Sequence, residues 1–186
     1  RVLFRSLAKA NPGQLNYASA GSGGIQHLGG ELSNITAGVK ITHIPYKGSG
    51  PALTDLVGGR VQYFLSGPAL SMGYIKGGKL KPIAITGDAR FPAQPQVPTF
   101  REAGLPEFNV TSSVGLLAPA GTPRAIQEKM AAEAVRVLHQ GDTKEKLSSQ
   151  GLDPASSNPD HYTALLKAEY AKWARVVKAS NIRMEE

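Results

Sequence analysis

The sequence contains no cysteine. Disulfides and thiolate metal sites are therefore excluded, while the absence assigns no compartment. Aromatics are sparse, at 6% with a single tryptophan, and none alternates with basic residues as a base-stacking platform requires. No apolar run approaches the length that crosses a bilayer. Lysine and arginine number 21 against 14 acidic residues, for a formal charge of +7. They are scattered rather than clustered, so nucleic acid is not an expected partner, and the surplus biases the surface only toward anions. The four histidines, at 27, 43, 139 and 161, have no ligand spacing, so no metal site is expected.

The chain does not begin with methionine, and its opening Arg1-Val2-Leu3-Phe4-Arg5 carries no signal-peptide pattern. It reads as the interior of something longer, with a processed, truncated or engineered start. At 186 residues and 41% hydrophobic content, there is material for a core in one large domain or two small ones.

Short apolar runs alternate with amphipathic ones in the first half. Strands are expected at residues 15–19, 41–45, 61–66 and 80–86, and helices at 25–37, 52–57 and 69–76. Each helix candidate ends at glycine, namely Gly38, Gly58-Gly59 and Gly77-Gly78. This alternation predicts βαβ units on a largely parallel sheet, an α/β fold. A proline-rich stretch follows, then a capped turn at 99–104 and a further strand candidate at 108–117.

Beyond residue 121 the pattern is helical. Thr122-Pro123 and Asn158-Pro159 each pair an N-cap side chain with proline at the first helical position. Ile126, Met130, Ala134, Val137 and Leu138 form one apolar face, and a shorter helix is expected at 143–150, closed by Gly151. Tyr162, Leu165, Leu166, Trp173, Val176 and Val177 form a second stripe, interrupted by Glu169.

The segment Leu15-Asn16-Tyr17-Ala18-Ser19-Ala20-Gly21-Ser22-Gly23-Gly24-Ile25-Gln26-His27-Leu28 carries the strongest functional signal. It is a strand, a glycine-rich turn and a helix start, which together leave backbone N–H groups at the positive end of a helix dipole. Gly21 and Gly23 match a dinucleotide fingerprint, but Gln26 holds the third glycine's place, and no acidic residue ends the next strand. No lysine stands where a P-loop needs one. What remains is a nest of N–H groups with the hydroxyls of Ser19 and Ser22, suited to a small carboxylate without metal or cofactor. A tight turn with no ligand is the plainer alternative. His27 could act as a base only with a nucleophile and an orienting carboxylate such as Glu31, so packing against the turn is its expected role.

Ligands of open α/β sheets lie beyond the carboxyl ends of strands. That rule brings Pro45, Tyr46, Lys47, Gly48 and Ser49 beside the first turn, with Lys47 either attracting an anion or simply solvated, and Ser66-Gly67 to the same crevice. No nucleophile–base–acid set is present, so no catalytic residue is expected. A nucleotide-dependent enzyme on a doubly wound sheet is the alternative reading.

Several strings taken together resemble the periplasmic solute-binding proteins of the tripartite tricarboxylate transporter family, also called the Bug family. In the first half they are Ala8-Lys9-Ala10-Asn11-Pro12-Gly13-Gln14-Leu15-Asn16-Tyr17-Ala18-Ser19, Gly21-Ser22-Gly23, His27-Leu28, His43-Ile44-Pro45-Tyr46-Lys47-Gly48, Pro51-Ala52-Leu53-Thr54-Asp55-Leu56 and Gly77-Gly78-Lys79-Leu80. Further on stand Val97-Pro98-Thr99, Glu102-Ala103-Gly104, Ala118-Pro119-Ala120-Gly121-Thr122-Pro123 and Lys172-Trp173. The resemblance runs from Leu7 to the C-terminus. It implies a two-domain flytrap of the type II periplasmic-binding-protein class, with no enzymatic activity and no cofactor. Such a protein captures a small organic acid, aliphatic or aromatic, mono- or dicarboxylate, in the periplasm and presents it to membrane transporter subunits.

On this resemblance residues 12–112 form the second α/β domain, 113–186 the helical part of the first, and 1–11 a connecting helix. The implied ligand contacts are Ser19, Ala20, Gly21, Ser22, Gly23, Gly24, His27, Pro45, Tyr46, Lys47, Ser66 and Gly67. The sequence departs from the family pattern at Gly24, usually Ser or Thr, at Ser66, often acidic, and at Ser113, often Trp. The family's N-terminal portion is also missing. A monomer is expected, but helices deprived of that portion should expose Leu138, Leu165, Val176 or Val177, and the fragment could then self-associate.

Overall fold

The computed structural model describes residues 2–149, 152 and 154–182. The backbone clusters into two compact units. One comprises Arg1–Ser66, Leu70–Ser112 and Val176–Glu186, and the other Gly67–Ala69 and Ser113–Arg175.

The first unit holds α1 (Val2–Ala10), β1 (Asn16–Ser19), α2 (Ile25–Ala37), β2 (Thr42–Pro45), α3 (Ser49–Val57) and β3 (Tyr63–Phe64), and most of α4 (Pro68–Lys76). The strands are all parallel, in the order β2-β1-β3. Tyr17 lies between His43 and Tyr63, and Ala18 between Ile44 and Phe64. A central parallel strand must be covered on both faces, and Tyr17, Ala18 and Ser19 are buried. On one face Tyr17 packs with Ala8, Ile41, Phe4 and Tyr63. On the other, Ala18 packs with Ala52 and Leu56 of α3, Val61 and Phe64.

Helix α2 reaches the sheet through glycine. A Cβ at Gly30 would stand 2.1 Å from the Tyr17 ring, and one at Gly29 2.4 Å from Leu65. Two interior glycines cost a helix about 1 kcal/mol each. Here Gly30 lets the helix backbone rest directly on Tyr17 of β1, and Gly29 admits Leu65 and Val110. Past the helix, the Asn34 amide bonds both the N–H and the C=O of Ile41, each at 3.0 Å, which aims the chain into β2.

Two expected strands are corrected. Residues 80–86 form only a single parallel bridge, Ile85 to Thr99. The 108–117 candidate pairs with nothing; Phe108 and Val110 are buried, while Val114 is 94% exposed. Apolar content there reflects point contacts, such as Val110 against Gly29, rather than a ladder. The third strand is also shorter than expected, at Tyr63–Phe64, and at its start the Gln62 side chain accepts the Asn16 N–H at 2.9 Å. The turn at 99–104 is capped as expected. Thr99 Oγ1 accepts the Glu102 N–H at 3.1 Å, and Glu102 accepts the Thr99 N–H at 2.8 Å.

The second unit contains α5 (Arg124–Leu138), α6 (Gly141–Ser149) and most of α7 (Pro159–Ala179). Asn158 Oδ1 accepts the His161 N–H at 2.8 Å, the expected cap. Thr122 does not cap α5. Its hydroxyl donates to the Pro119 carbonyl at 2.8 Å, and Pro123 takes the N-cap position. The expected end of α6 at Gln150 and Gly151 lies outside the described residues. Arg124 forks onto Asp160 with two bonds of 2.7 Å and also donates to Glu128. Met130 is 58% and Tyr170 79% exposed. Leu165 and Val177 are exposed as well, Leu138 is half-buried, and Val176 is buried. Among the described residues no helix is long and apolar enough to cross a membrane.

Candidate functional site

The β1–α2 turn lies at the carboxyl end of the central strand. Gly23 adopts φ 77°, a left-handed conformation that favours glycine. The turn is pinned from every side. Ala20 N–H donates to Gln26 Oε1 at 2.8 Å, and Gly23 N–H donates to His27 Nδ1 at 3.0 Å. Ser19 Oγ donates to the Gly21 carbonyl at 2.9 Å and accepts the Gly21 N–H at 3.2 Å. At the head of α2, the N–H groups of Gly24, Ile25, Gln26 and His27 have no acceptor among the described residues. They are the orphan donors of a helix start.

The end of β2 is laced to this turn. Tyr46 N–H donates to the Ser19 carbonyl at 3.0 Å and Gly48 N–H to that of Ala20 at 3.1 Å. Gln26 Nε2 reaches Ser49 Oγ at 3.4 Å. Ser19, Ala20, Gly21, Ser22, Gly23, Gly24, His27, Pro45, Tyr46 and Lys47 are thus brought together. Ser22 and Lys47 are exposed, and Lys47 forms no ion pair among the described residues. Tyr46 turns its hydroxyl back onto Asp55 at 2.8 Å. Hydrogen bonds from Arg60 and Tyr46 hold the Asp55 carboxyl below the usual carboxylate range. Ser66 lies just beyond β3, while Gly67 falls in the second unit.

Ser19 departs from the expected open nest. It is fully buried, beneath the turn rather than on it. Its Oγ lies 2.6 Å from His43 Nε2. His43 stacks on His27 with ring centroids 3.8 Å apart, and on Tyr17 at 5.0 Å. Tyr17 donates to Glu31 at 2.7 Å. Glu31 therefore serves Tyr17 and does not orient His27. Burial lowers the His27 pKa, with Glu31 opposing. Burial and then the charge of His27 lower that of His43 to about 4. Burial, then Glu31, raises the Tyr17 hydroxyl well above the phenol range.

A serine–histidine contact of 2.6 Å has the outline of a nucleophile and base. Ser19 has no solvent access, and its proton is committed to the Gly21 carbonyl or to His43. Among the described residues no carboxylate bonds His43. The arrangement braces a turn. His27 takes the packing role expected of it. The roles of His43, Gln26 and Tyr17 in holding the turn were not expected from the sequence, and Glu31 was weighed there only as a partner of His27. The legible signal was the period of two, since Tyr17 and Ser19 share the face of β1 that meets the histidine of β2.

Within the second unit, a separate concavity of about 480 Å³ lies between α5 and the approach to α7, lined by Glu128, Ala131, Val135, Ser157 and Asn158. It holds a carboxylate and no cation, which is unsuited to an anion. Among the described residues no acidic or histidine cluster could hold a metal.

Residues 4–182 match the tripartite tricarboxylate transporter family receptor. The chain is 37% identical over 171 residues to a protein encoded in the tcbD-tcbE intergenic region of Pseudomonas sp. (strain P51), covering 91% of this chain and 51% of that one. A Rhodopseudomonas palustris structure with adipate superposes with a TM-score of 0.83 at 33% identity, over 96% of this chain and 60% of the other. MatC of Rhodopseudomonas palustris with bound malate superposes with a TM-score of 0.76 at 36% identity, over 94% and 60%. The chain thus spans about half the length of the first relative and three-fifths of each solved protein. On the match across nearly all its residues, the chain belongs to the tripartite tricarboxylate transporter receptor family.

Proposed function

We propose that this chain functions as an extracytoplasmic solute-binding protein. It captures a small organic carboxylate and delivers it, in the periplasm, to the membrane subunits of a tripartite tricarboxylate-type transporter. It does so by closing two domains on the ligand, without turnover or cofactor. Residues 12–112 belong to one domain and 113–186 to the other.

The observation that carries the reading is the row of acceptor-free N–H groups at the head of α2, framed by a pinned turn at a parallel strand's carboxyl end. A carboxylate there accepts from the Gly24–Ile25 backbone, with the Ser22 hydroxyl and the Lys47 ammonium at the rim. Ala20, Gly21, Gly23, Pro45 and Tyr46 shape the wall, and Ser19 and His27 support it. Relatives solved with adipate and malate support a carboxylate ligand.

Isothermal titration against a panel of mono- and dicarboxylates, including adipate and malate, tests the proposal. Saturable binding of at least one acid is expected. Binding of an uncharged solute with none of the acids would overturn it.

A further inference from the structure

Beyond its stacking, the imidazole pair beneath the turn makes hydrogen bonds that a merely space-filling core does not need. His43 Nε2 meets Ser19 Oγ at 2.6 Å, and that oxygen bonds both the N–H and the C=O of Gly21. His27 Nδ1 accepts the Gly23 N–H at 3.0 Å. Two rings on two different elements therefore each hold one glycine of the same turn. We propose that His43 and His27 are positioning residues for the carboxylate site, fixing the 19–24 turn as neutral imidazoles, His43 through Ser19 and His27 through Gly23. This rests on the carboxylate reading of the turn.

The chemistry is asymmetric between protonation states. An Nδ1 that accepts a hydrogen bond is unprotonated. A proton placed on His27 Nδ1 sets donor against donor at Gly23. A second proton on His43 puts charge against a ring whose centroid is 3.8 Å away. The groups facing His27 are Glu31 on its own helix, His43 on β2 and Tyr17 on β1. Those facing His43 are His27, Tyr17 and Ser19, with Tyr63 beyond Tyr17. Only Glu31 is anionic among them, and its oxygen is already taken by Tyr17 at 2.7 Å. Burial opposes the charged form of both rings.

The test uses the ¹⁵N-labelled chain without ligand, titrated from about pH 7.5 to about pH 3, past the midpoint of His43. The Gly21 and Gly23 amide signals should move with the midpoints of the imidazole signals of His43 and His27. Calorimetry at about pH 7.5 with adipate and malate should show H43A weakened by about tenfold, the loss of one hydrogen bond. H43Q, whose amide N–H reaches Ser19 Oγ, should recover most of that loss. Glycine amides that ignore the imidazole titration overturn the proposal, as does H43A binding like the parent. If H43A does not fold, H43Q and the amide titration decide. If the parent binds neither acid, the carboxylate reading is what fails, and the amide titration still decides whether the histidines hold the turn.

Discussion

The rings of His27 and His43 lie 3.8 Å apart between centroids and within 8° of parallel. Neither ring gains a proton cheaply in that geometry, and both pKa values lie below the ordinary 6.5, that of His43 at about 4. The unfolded chain takes up protons as pH falls through 6.5, while the folded one resists. Folding stability from this pair is therefore whole above that pH and declines from there toward pH 4. With allowance for solvent access, His43 accounts for about 1–3 kcal/mol of the decline. Urea unfolding at stepped pH checks this, and a stability flat over the interval would refute it.

Gly30 and Gly73 separate two kinds of helical glycine. A methyl at Gly30 meets the Tyr17 ring at 2.1 Å, whereas one at Gly73 meets nothing within 4 Å. Gly30→Ala should cost about 2–3 kcal/mol by forcing α2 off the sheet. Gly73→Ala should be neutral or stabilising by about 0.5–1 kcal/mol. Equal effects in denaturant titrations would contradict the packing described.

Tyr17→Phe removes the donor to Glu31 at 2.7 Å and to the His27 carbonyl at 3.2 Å. A loss of about 1–2 kcal/mol is expected. The carboxylate so released attracts a proton to His27, whose pKa should rise, as the imidazole proton resonances would report. An unmoved His27 would mean that Glu31 does not sense the tyrosine.

The two Xaa-Pro helix starts should respond unequally. Asn158→Ala removes an acceptor from the His161 N–H and should cost about 1 kcal/mol. Thr122→Ala should cost less, because its hydroxyl bonds the Pro119 carbonyl rather than the helix. Thermal unfolding of the two variants gives the comparison.

The βαβ order was legible because each helix carries its stop signal at a glycine and each strand is a short apolar run. The failed strand at residues 80–86 has the same composition, but strand identity depends on a partner that composition does not name. The glycine turn was legible for a local reason, since its backbone needs small residues. His43 was not, for it lies 24 residues from Ser19 and meets it only through the parallel register of β1 with β2. Likewise Gly29-Gly30 reads as weakness in a helix until the tyrosine ring it admits is seen.

The strand order β2-β1-β3 has a consequence for synthesis. The central strand leaves the ribosome first, yet both of its neighbours follow it, the last ending at Phe64. Closing two long-range pairings around an early strand is slow relative to local helix formation. The glycine turn is encoded near residue 20, but the partners that pin it extend to Ser49, so it acquires its shape only once about 25 further residues have emerged. A nascent chain stopped short of that point carries the turn's sequence without its structure.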